Sequence, residues 1–166
     1  MKVKFILPAL TEATSPLWRP IKYSLFPPLG LATLAGYLGD GDDAEIQDEH
    51  VEPLRLDDEP DLVVIQVYIT SAYRAYRIAD HYRRRGAYVV LGGLHVTSLP
   101  EEAAAHADAI VLGPGEARGG RSWATCAKDI PSLFRRSTRG CRHSAASLPA
   151  IGICTTRGTR CSGRRA

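Results

Sequence analysis

The run LVVIQV at residues 62–67 constrains the fold of this chain more than any other segment. Val and Ile make up most of the run, and such near-continuous apolar runs are typical of strands that are buried on both faces. Strands of that kind belong to parallel sheets whose two sides are covered by helices. The run therefore predicts the central strand of an α/β domain.

Amphipathic segments and shorter apolar runs alternate around this strand. Two segments, beginning at Leu31 and Ala75, repeat apolar residues at i, i+3, i+4 and i+7, the spacing of one helix face. Ser98 and Glu101 have the spacing of a capping box, which predicts a short helix that ends near His106. The other predicted strands are residues 3–7, 44–48, 88–91 and 109–112. The alternation predicts a Rossmann-like, flavodoxin-like doubly wound sheet of five parallel strands in the order 2-1-3-4-5.

The chain changes character near residue 117. Residues 1–116 carry 10 Lys and Arg against 17 Asp and Glu, a net charge of −7, whereas residues 117–166 carry 11 against one, a net charge of +10. All four cysteines also lie in the second part, which is rich in Arg and Ser and has no sustained apolar period. We therefore expect a domain over residues 1–116 and a disordered basic tail over residues 117–166. A shift of reading frame near residue 117 would explain the abrupt change.

The apolar segments are too short for a membrane protein. None approaches the roughly 20 residues of a membrane-spanning helix. The N-terminal apolar run is interrupted by Pro8, too early for a signal peptide. We therefore expect a cytoplasmic protein.

The loops that follow the first, third, fourth and fifth predicted strands share one edge of the sheet, where open α/β sheets bind ligands. They supply glycines, hydroxyl groups, one imidazole and a single acid, Glu116. A phosphate-binding loop and a dinucleotide fingerprint are both missing, since no glycine-rich turn follows the first strand. The composition predicts a binding surface for a large, mostly neutral ligand rather than a catalytic centre.

Several short motifs resemble, in the same order, those of the N-terminal cobalamin-binding domain of B12-dependent radical SAM proteins. They are PPLGL at residues 27–31, GGLH at residues 92–95 and GPGE at residues 113–116. The resemblance implies a Rossmann-like domain that holds cobalamin, a cobalt corrinoid, against the carboxyl edge of the sheet. It places Tyr68, Ile69, Thr70 and Ser71 beneath the corrin, Gly92, Gly93, His95, Val96 and Thr97 beside the nucleotide tail, and Gly113 and Glu116 at the far wall.

Two departures limit what the resemblance implies. The axial-histidine motif D-x-H-x-x-G is not met, because Asp48 and His50 are followed by Pro53 and lie after the second strand. The iron–sulfur motif C-x3-C-x2-C is absent, so we do not expect this chain to cleave S-adenosylmethionine. A 4Fe-4S cluster and S-adenosylmethionine belong to the intact family, whose radical SAM catalytic domain would here be a separate partner.

Simpler interpretations of these residues stay open. His95 has a second interpretation as a solvated or supporting histidine, and Glu116 as an acid at a helix N-terminus. The domain has an alternative as a flavodoxin-like binding or signalling module for a flavin or another nucleotide. A signalling receiver domain is disfavoured, because it needs an aspartate at the end of the third strand, where this chain has Gln66 and Tyr68. The arginine-rich tail leaves a nucleic-acid-binding alternative. Its cysteine spacings do not fit known zinc ribbons and fingers.

Overall fold

A computed structural model describes residues 1–9 and 28–113, together with the backbone of residues 153–155. Residues 10–27, which follow the first predicted strand, and the predicted site residue Glu116 lie outside the described residues. The strands are β1 (Lys2–Leu7), β2 (Asp43–Asp48), β3 (Leu62–Gln66), β4 (Tyr88–Gly92), β5 (Ala109–Val111) and β6 (Ile153–Thr155). The helices are α1 (Leu29–Ala35), α2 (Ala72–Arg84), α3 (Leu94–Ser98) and α4 (Pro100–Ala105), with a 3-10 turn at Ile69–Ser71 before α2.

Strands β1 to β5 form a parallel sheet in the order β2-β1-β3-β4-β5. The register places Phe5 of β1 between Ile46 of β2 and Val64 of β3. This confirms the predicted fold class and the predicted strand order. Strand β3, which is buried along Leu62–Ile65, lies in the middle of the five.

A sixth strand lies within the part of the chain that was predicted to be a basic tail. Residues Ile153–Thr155 pair antiparallel with β5, and Cys154 lies opposite Ile110. Two of the three residues are β-branched, which favours an extended strand, and the outer edge of β5 offers unpaired backbone groups. These three residues add a sixth strand to the sheet, the rest of residues 117–166 lie outside the described part of the chain, and the disordered tail stays a prediction.

Helices cover both faces of the sheet. Helix α1 packs through Leu31 on the face that carries Phe5 and Val64. Helix α2 packs on the opposite face through one side that includes Ile78 and Ala79, and the region of α3 and α4 joins the same core. The connection that leaves β1 and the connections that leave β3 and β4 thus use opposite faces. This makes the gap between the neighbouring strands β1 and β3 the switch point of the fold.

A buried polar cluster anchors the connection between β2 and β3. The Lys4 ammonium on β1 is 1% exposed and donates to the Arg55 carbonyl at 2.6 Å, to the Asp58 carboxylate at 2.5 Å and to the Tyr82 hydroxyl at 3.0 Å. Burial alone would raise the pKa of Asp58, but the hydrogen bonds from Lys4 and Tyr82 and the Lys4 charge hold it below its usual value. Burial and the bond to Asp58 raise the pKa of Tyr82. The cluster is satisfied within itself and is structural.

The segment after β4 corrects one sequence prediction. It forms two short helices, α3 and α4, which meet at Leu99, instead of one helix capped by Ser98. The Ser98 hydroxyl donates to the carbonyl of Leu94, one turn earlier, so it ends α3 rather than beginning the next helix. Pro100 stands at the first position of α4, where its missing N–H costs nothing.

Candidate functional site at the carboxyl edge of the sheet

The carboxyl ends of β1 to β5 meet at one edge, and most of the predicted site residues follow those ends. The edge includes the switch point between β1 and β3, where sheets of this order bind their ligands. The turns after β3, β4 and β5 are described as far as Gly113.

The turn after β3 is exposed and carries an ordered tyrosine. The Gln66 side-chain amide, at the last position of β3, donates to the Tyr68 hydroxyl at 2.8 Å. Tyr68 is 43% exposed and Ile69 is 75% exposed, and Thr70 is also exposed. Ser71 is buried, and its backbone N–H and hydroxyl both donate to the Tyr68 carbonyl. Three of the four residues predicted to lie beneath a corrin thus face solvent, and the fourth shapes the turn.

The Gly92–Gly93 pair brings the turns after β3 and β4 into backbone contact. The Val67 N–H donates to the Gly92 carbonyl at 2.8 Å, and the His95 N–H donates to the Val67 carbonyl at 3.3 Å. Gly93 has φ of +112°, and a Cβ at this position would lie 2.8 Å from the Val67 carbonyl oxygen. The missing side chain of Gly93 therefore allows the backbones of the two turns to lie in contact. The sequence pattern had suggested the approach of a ligand.

Thr97 joins the two predicted glycine turns. Its hydroxyl donates to the Gly93 carbonyl at 3.0 Å and accepts the Gly113 N–H at 3.0 Å. Gly113 itself has φ of +79°, a backbone conformation that glycine favours. The single hydroxyl of Thr97 thus fixes the spacing of the turns after β4 and β5. Thr97 and both glycines were predicted site residues, and the structure brings them together.

His95 is buried, unlike the other polar residues of this turn. It is 7% exposed, and its Nε2 lies 3.4 Å from the Glu102 carboxylate of α4. Its ring lies 6.2 Å from the ring of Tyr76 on α2, and Val96 beside it is fully buried. Burial and the neighbouring Glu102 carboxylate raise the pKa of Tyr76. His95 and Val96 therefore pack α3 against α2 and α4.

An ion pair that the sequence analysis missed ties three further segments together. The Arg74 guanidinium, in the first turn of α2, makes two-pronged contact with Glu49, with its Nε 3.0 Å from Oε1. The Glu49 carboxylate also accepts the Ala9 N–H at 2.9 Å. Glu49 directly follows β2, whose carboxyl end also belongs to this edge. The loop after the second predicted strand shares this edge, and its first residue, Glu49, could have been predicted on that ground.

The same turn holds the pair that resembled an axial-histidine motif. His50 Nδ1 lies 2.9 Å from the Asp48 carboxylate, which also accepts the His50 backbone N–H at 2.9 Å. The pair closes the turn after β2. Within the described residues, no group of three His, Cys, Asp or Glu side chains could hold a metal ion.

Large apolar side chains are exposed around the edge. Leu29 at the start of α1, Ile69 after β3 and Leu94 at the start of α3 are 66%, 75% and 71% exposed. Such side chains beside a switch point favour a ligand with a broad apolar surface. In the described ranges, no helix has the length and apolar composition to span a membrane.

Curated relatives resemble this chain over part of their length. A bacteriochlorophyllide d C-8(2)-methyltransferase of Chlorobaculum tepidum is 46% identical over 87 residues, which are 52% of this chain and 18% of that protein. An uncharacterized methyltransferase of Pyrococcus horikoshii is 35% identical over 129 residues, covering 70% of this chain and 28% of that protein. A bacteriochlorophyllide d C-12(1)-methyltransferase of Chlorobaculum tepidum is 36% identical over 70 residues, 42% of this chain and 14% of that protein.

The match to a family covers more of the chain than the recognisable motifs do. The alignments with the three methyltransferases span less than a third of each of those proteins. The B12 binding domain family matches residues 23–119, which is more than half of the chain and includes the carboxyl-edge turns after β2 to β5. The chain therefore belongs to the B12-binding domain family.

Proposed function

We propose that the carboxyl edge holds the corrin ring of cobalamin and that the domain serves a methyltransferase. The observation that carries this proposal is the exposure of the large apolar side chains of Leu29, Ile69 and Leu94 at the carboxyl edge of a B12-binding domain. A corrin offers a broad apolar face with polar amides at its rim. The residues present therefore fit the cofactor.

Different turns of the edge would bind different parts of this cofactor. We assign the exposed turn of Tyr68, Ile69 and Thr70 to the ring. The turns joined by Thr97 border a slot for the nucleotide tail, walled by Gly92 and Gly113. His95 and Val96 act beneath that slot, by fixing α3. Cobalamin, when bound, would supply a cobalt centre able to carry a methyl group.

The proposal is tested by adding hydroxocobalamin to the purified full chain, desalting it and recording the visible spectrum. We expect a corrin spectrum in the protein fraction at about one equivalent per chain. Flavin mononucleotide, handled in the same way, serves as the control for a general flavodoxin-like site. A colourless protein fraction, or equal retention of the flavin, would contradict the proposal.

We further propose that the parent enzyme is a radical SAM methyltransferase. Support comes from the three relatives, all named methyltransferases, and from the ordered motifs PPLGL, GGLH and GPGE. The catalytic part would lie outside this chain, which carries no C-x3-C-x2-C motif. The test is to read the genomic sequence after codon 116 in all three frames. A barrel-coding sequence with that motif is expected, and its absence from every frame would contradict the proposal.

A further inference from the structure

Gln66 and Tyr68 form a hydrogen-bonded polar pair at the end of β3. Gln66 Nε2 donates to the Tyr68 hydroxyl at 2.8 Å, and this bond uses the lone pairs of the hydroxyl rather than its hydrogen. The tyrosine is 43% exposed, next to the exposed side chain of Ile69. A solvent-facing tyrosine held by its own strand end has a defined position before any ligand arrives.

The pair keeps one donor and one acceptor for another molecule. Among residues 1–9 and 28–113, nothing accepts the Tyr68 hydroxyl hydrogen, and nothing donates to Gln66 Oε1. A primary carboxamide has the complementary groups, because its carbonyl accepts one hydrogen bond and its N–H donates another. A carboxylate or a phosphate would match only the donor of the pair.

The position of the pair in the fold allows a ligand to reach it. Gln66 ends β3, beside the switch point with β1. Gly30 of α1 lies beside the Gln66 side chain, and a Cβ at position 30 would be 3.9 Å from both Gln66 Nε2 and Gln66 Oε1. Because position 30 has no side chain, α1 approaches the half-buried Gln66 amide without placing a side chain on it.

We infer that Gln66 and Tyr68 form a carboxamide-recognition subsite that binds a side-chain amide at the rim of the corrin ring. Tyr68 donates to the amide carbonyl, and Gln66 both accepts the amide N–H and positions Tyr68. The inference rests on the proposed cobalamin function and deepens it, because it assigns a polar contact to the ring rather than to the nucleotide tail.

The test compares dissociation constants of hydroxocobalamin and of cobinamide, which lacks the nucleotide tail but keeps the ring amides. Tyr68→Phe removes the donor and should weaken the binding of both ligands by the same factor, about 3- to 12-fold. Gln66→Glu should have a similar effect at pH 7, because the carboxylate accepts the Tyr68 hydrogen and leaves none for the ligand. Tyr37→Phe, which lies beyond the far end of α1, is the matched control and should bind like the wild type.

The outcomes separate this inference from the proposed function. A wild-type chain that binds neither corrinoid overturns both. A wild type that binds, with Tyr68→Phe and Gln66→Glu binding as tightly, overturns the subsite alone. A loss that affects hydroxocobalamin but spares cobinamide also overturns it, since the contact would then belong to the tail. Melting temperatures within a few degrees of the wild type exclude unfolding as the cause, and Gln66→Glu serves as the second variant if Tyr68→Phe is unstable.

Discussion

Gly93 shows how one residue fixes the geometry of the candidate site. Its backbone has a positive φ and lies in contact with Val67, so two separate requirements exclude a side chain. The sequence placed Gly92 and Gly93 in the loop after the fourth predicted strand, and Gly93 indeed directly follows β4. The sequence did not reveal that the close neighbour is the backbone of the preceding turn.

Gly93→Ala should destabilise the domain by about 1–3 kcal/mol, because its Cβ would strain φ and collide with the Val67 carbonyl. Urea unfolding monitored by circular dichroism measures the change. Gly41→Ala is the control, since a Cβ there meets nothing within 4 Å, and it should stay within about 0.5 kcal/mol of the wild type. Equal stability of the two variants would contradict the account of Gly93.

Asp58→Asn should cost about 1–3 kcal/mol at pH 7, because the buried Lys4 ammonium loses its counter-charge. The folded pKa of Asp58 lies below its usual value. Its contribution is therefore present above the unfolded pKa, about 4, and is lost as the pH falls through the folded value. The difference in the free energy of unfolding between wild type and Asp58→Asn should shrink below about pH 4. The control Asp57→Asn, at an exposed position, should match the wild type both at pH 7 and below about pH 4. A constant difference would refute this role of Asp58.

At the scale of elements, side-chain contacts join turns that lie far apart in the sequence. The Arg74–Glu49 pair connects the first turn of α2 with the end of β2 and, through Ala9, with the end of β1. Thr97 connects the turns after β4 and β5. These contacts set the shape of the edge in the absence of ligand, and such preorganisation favours binding.

Thr97→Val keeps the shape of the side chain but removes both hydrogen bonds. We expect weaker binding of hydroxocobalamin by about 3- to 12-fold, since the slot between the two turns loses its brace. Cobinamide, which lacks the tail that the slot would hold, should bind almost as before. Isothermal titration of both ligands measures the effect, with Thr33→Val on α1 as the control. A loss that is equal for the two ligands would refute the assignment of this slot to the tail.

The elements themselves could be predicted because their periodicity is local. The pattern that predicts each element lies within that segment itself. The run at residues 62–67 forms β3, and the apolar spacing from Ala75 lies in α2. Contacts such as Lys4 with Tyr82, 78 positions apart, leave no local pattern. The contact between the rings of His95 and Tyr76, 19 positions apart, likewise leaves no local pattern. The helix break at Leu99 was hidden because Ser98 had two possible backbone partners.

At the scale of the whole molecule, the described part of the basic tail pairs with the sheet of the domain. Strand β6 adds three residues of the tail to the sheet beside β5. The composition of residues 117–166 did not predict this, because strand pairing is decided by an available sheet edge as well as by apolar periodicity. Residues 1–113 nevertheless contain both cores and all the described turns of the candidate site.

The central claim is that a corrinoid binds at the carboxyl edge of this sheet. Its most direct test is an amide NMR map of the isotope-labelled full chain, recorded before and after addition of one equivalent of hydroxocobalamin. We predict that the shifted signals cluster in the turns after β3, β4 and β5, including Tyr68, Gly93 and Thr97. Signals at the opposite edge, such as those of Asp61 and Gly86, should stay in place. An unchanged spectrum, or shifts confined to that opposite edge, would contradict the claim.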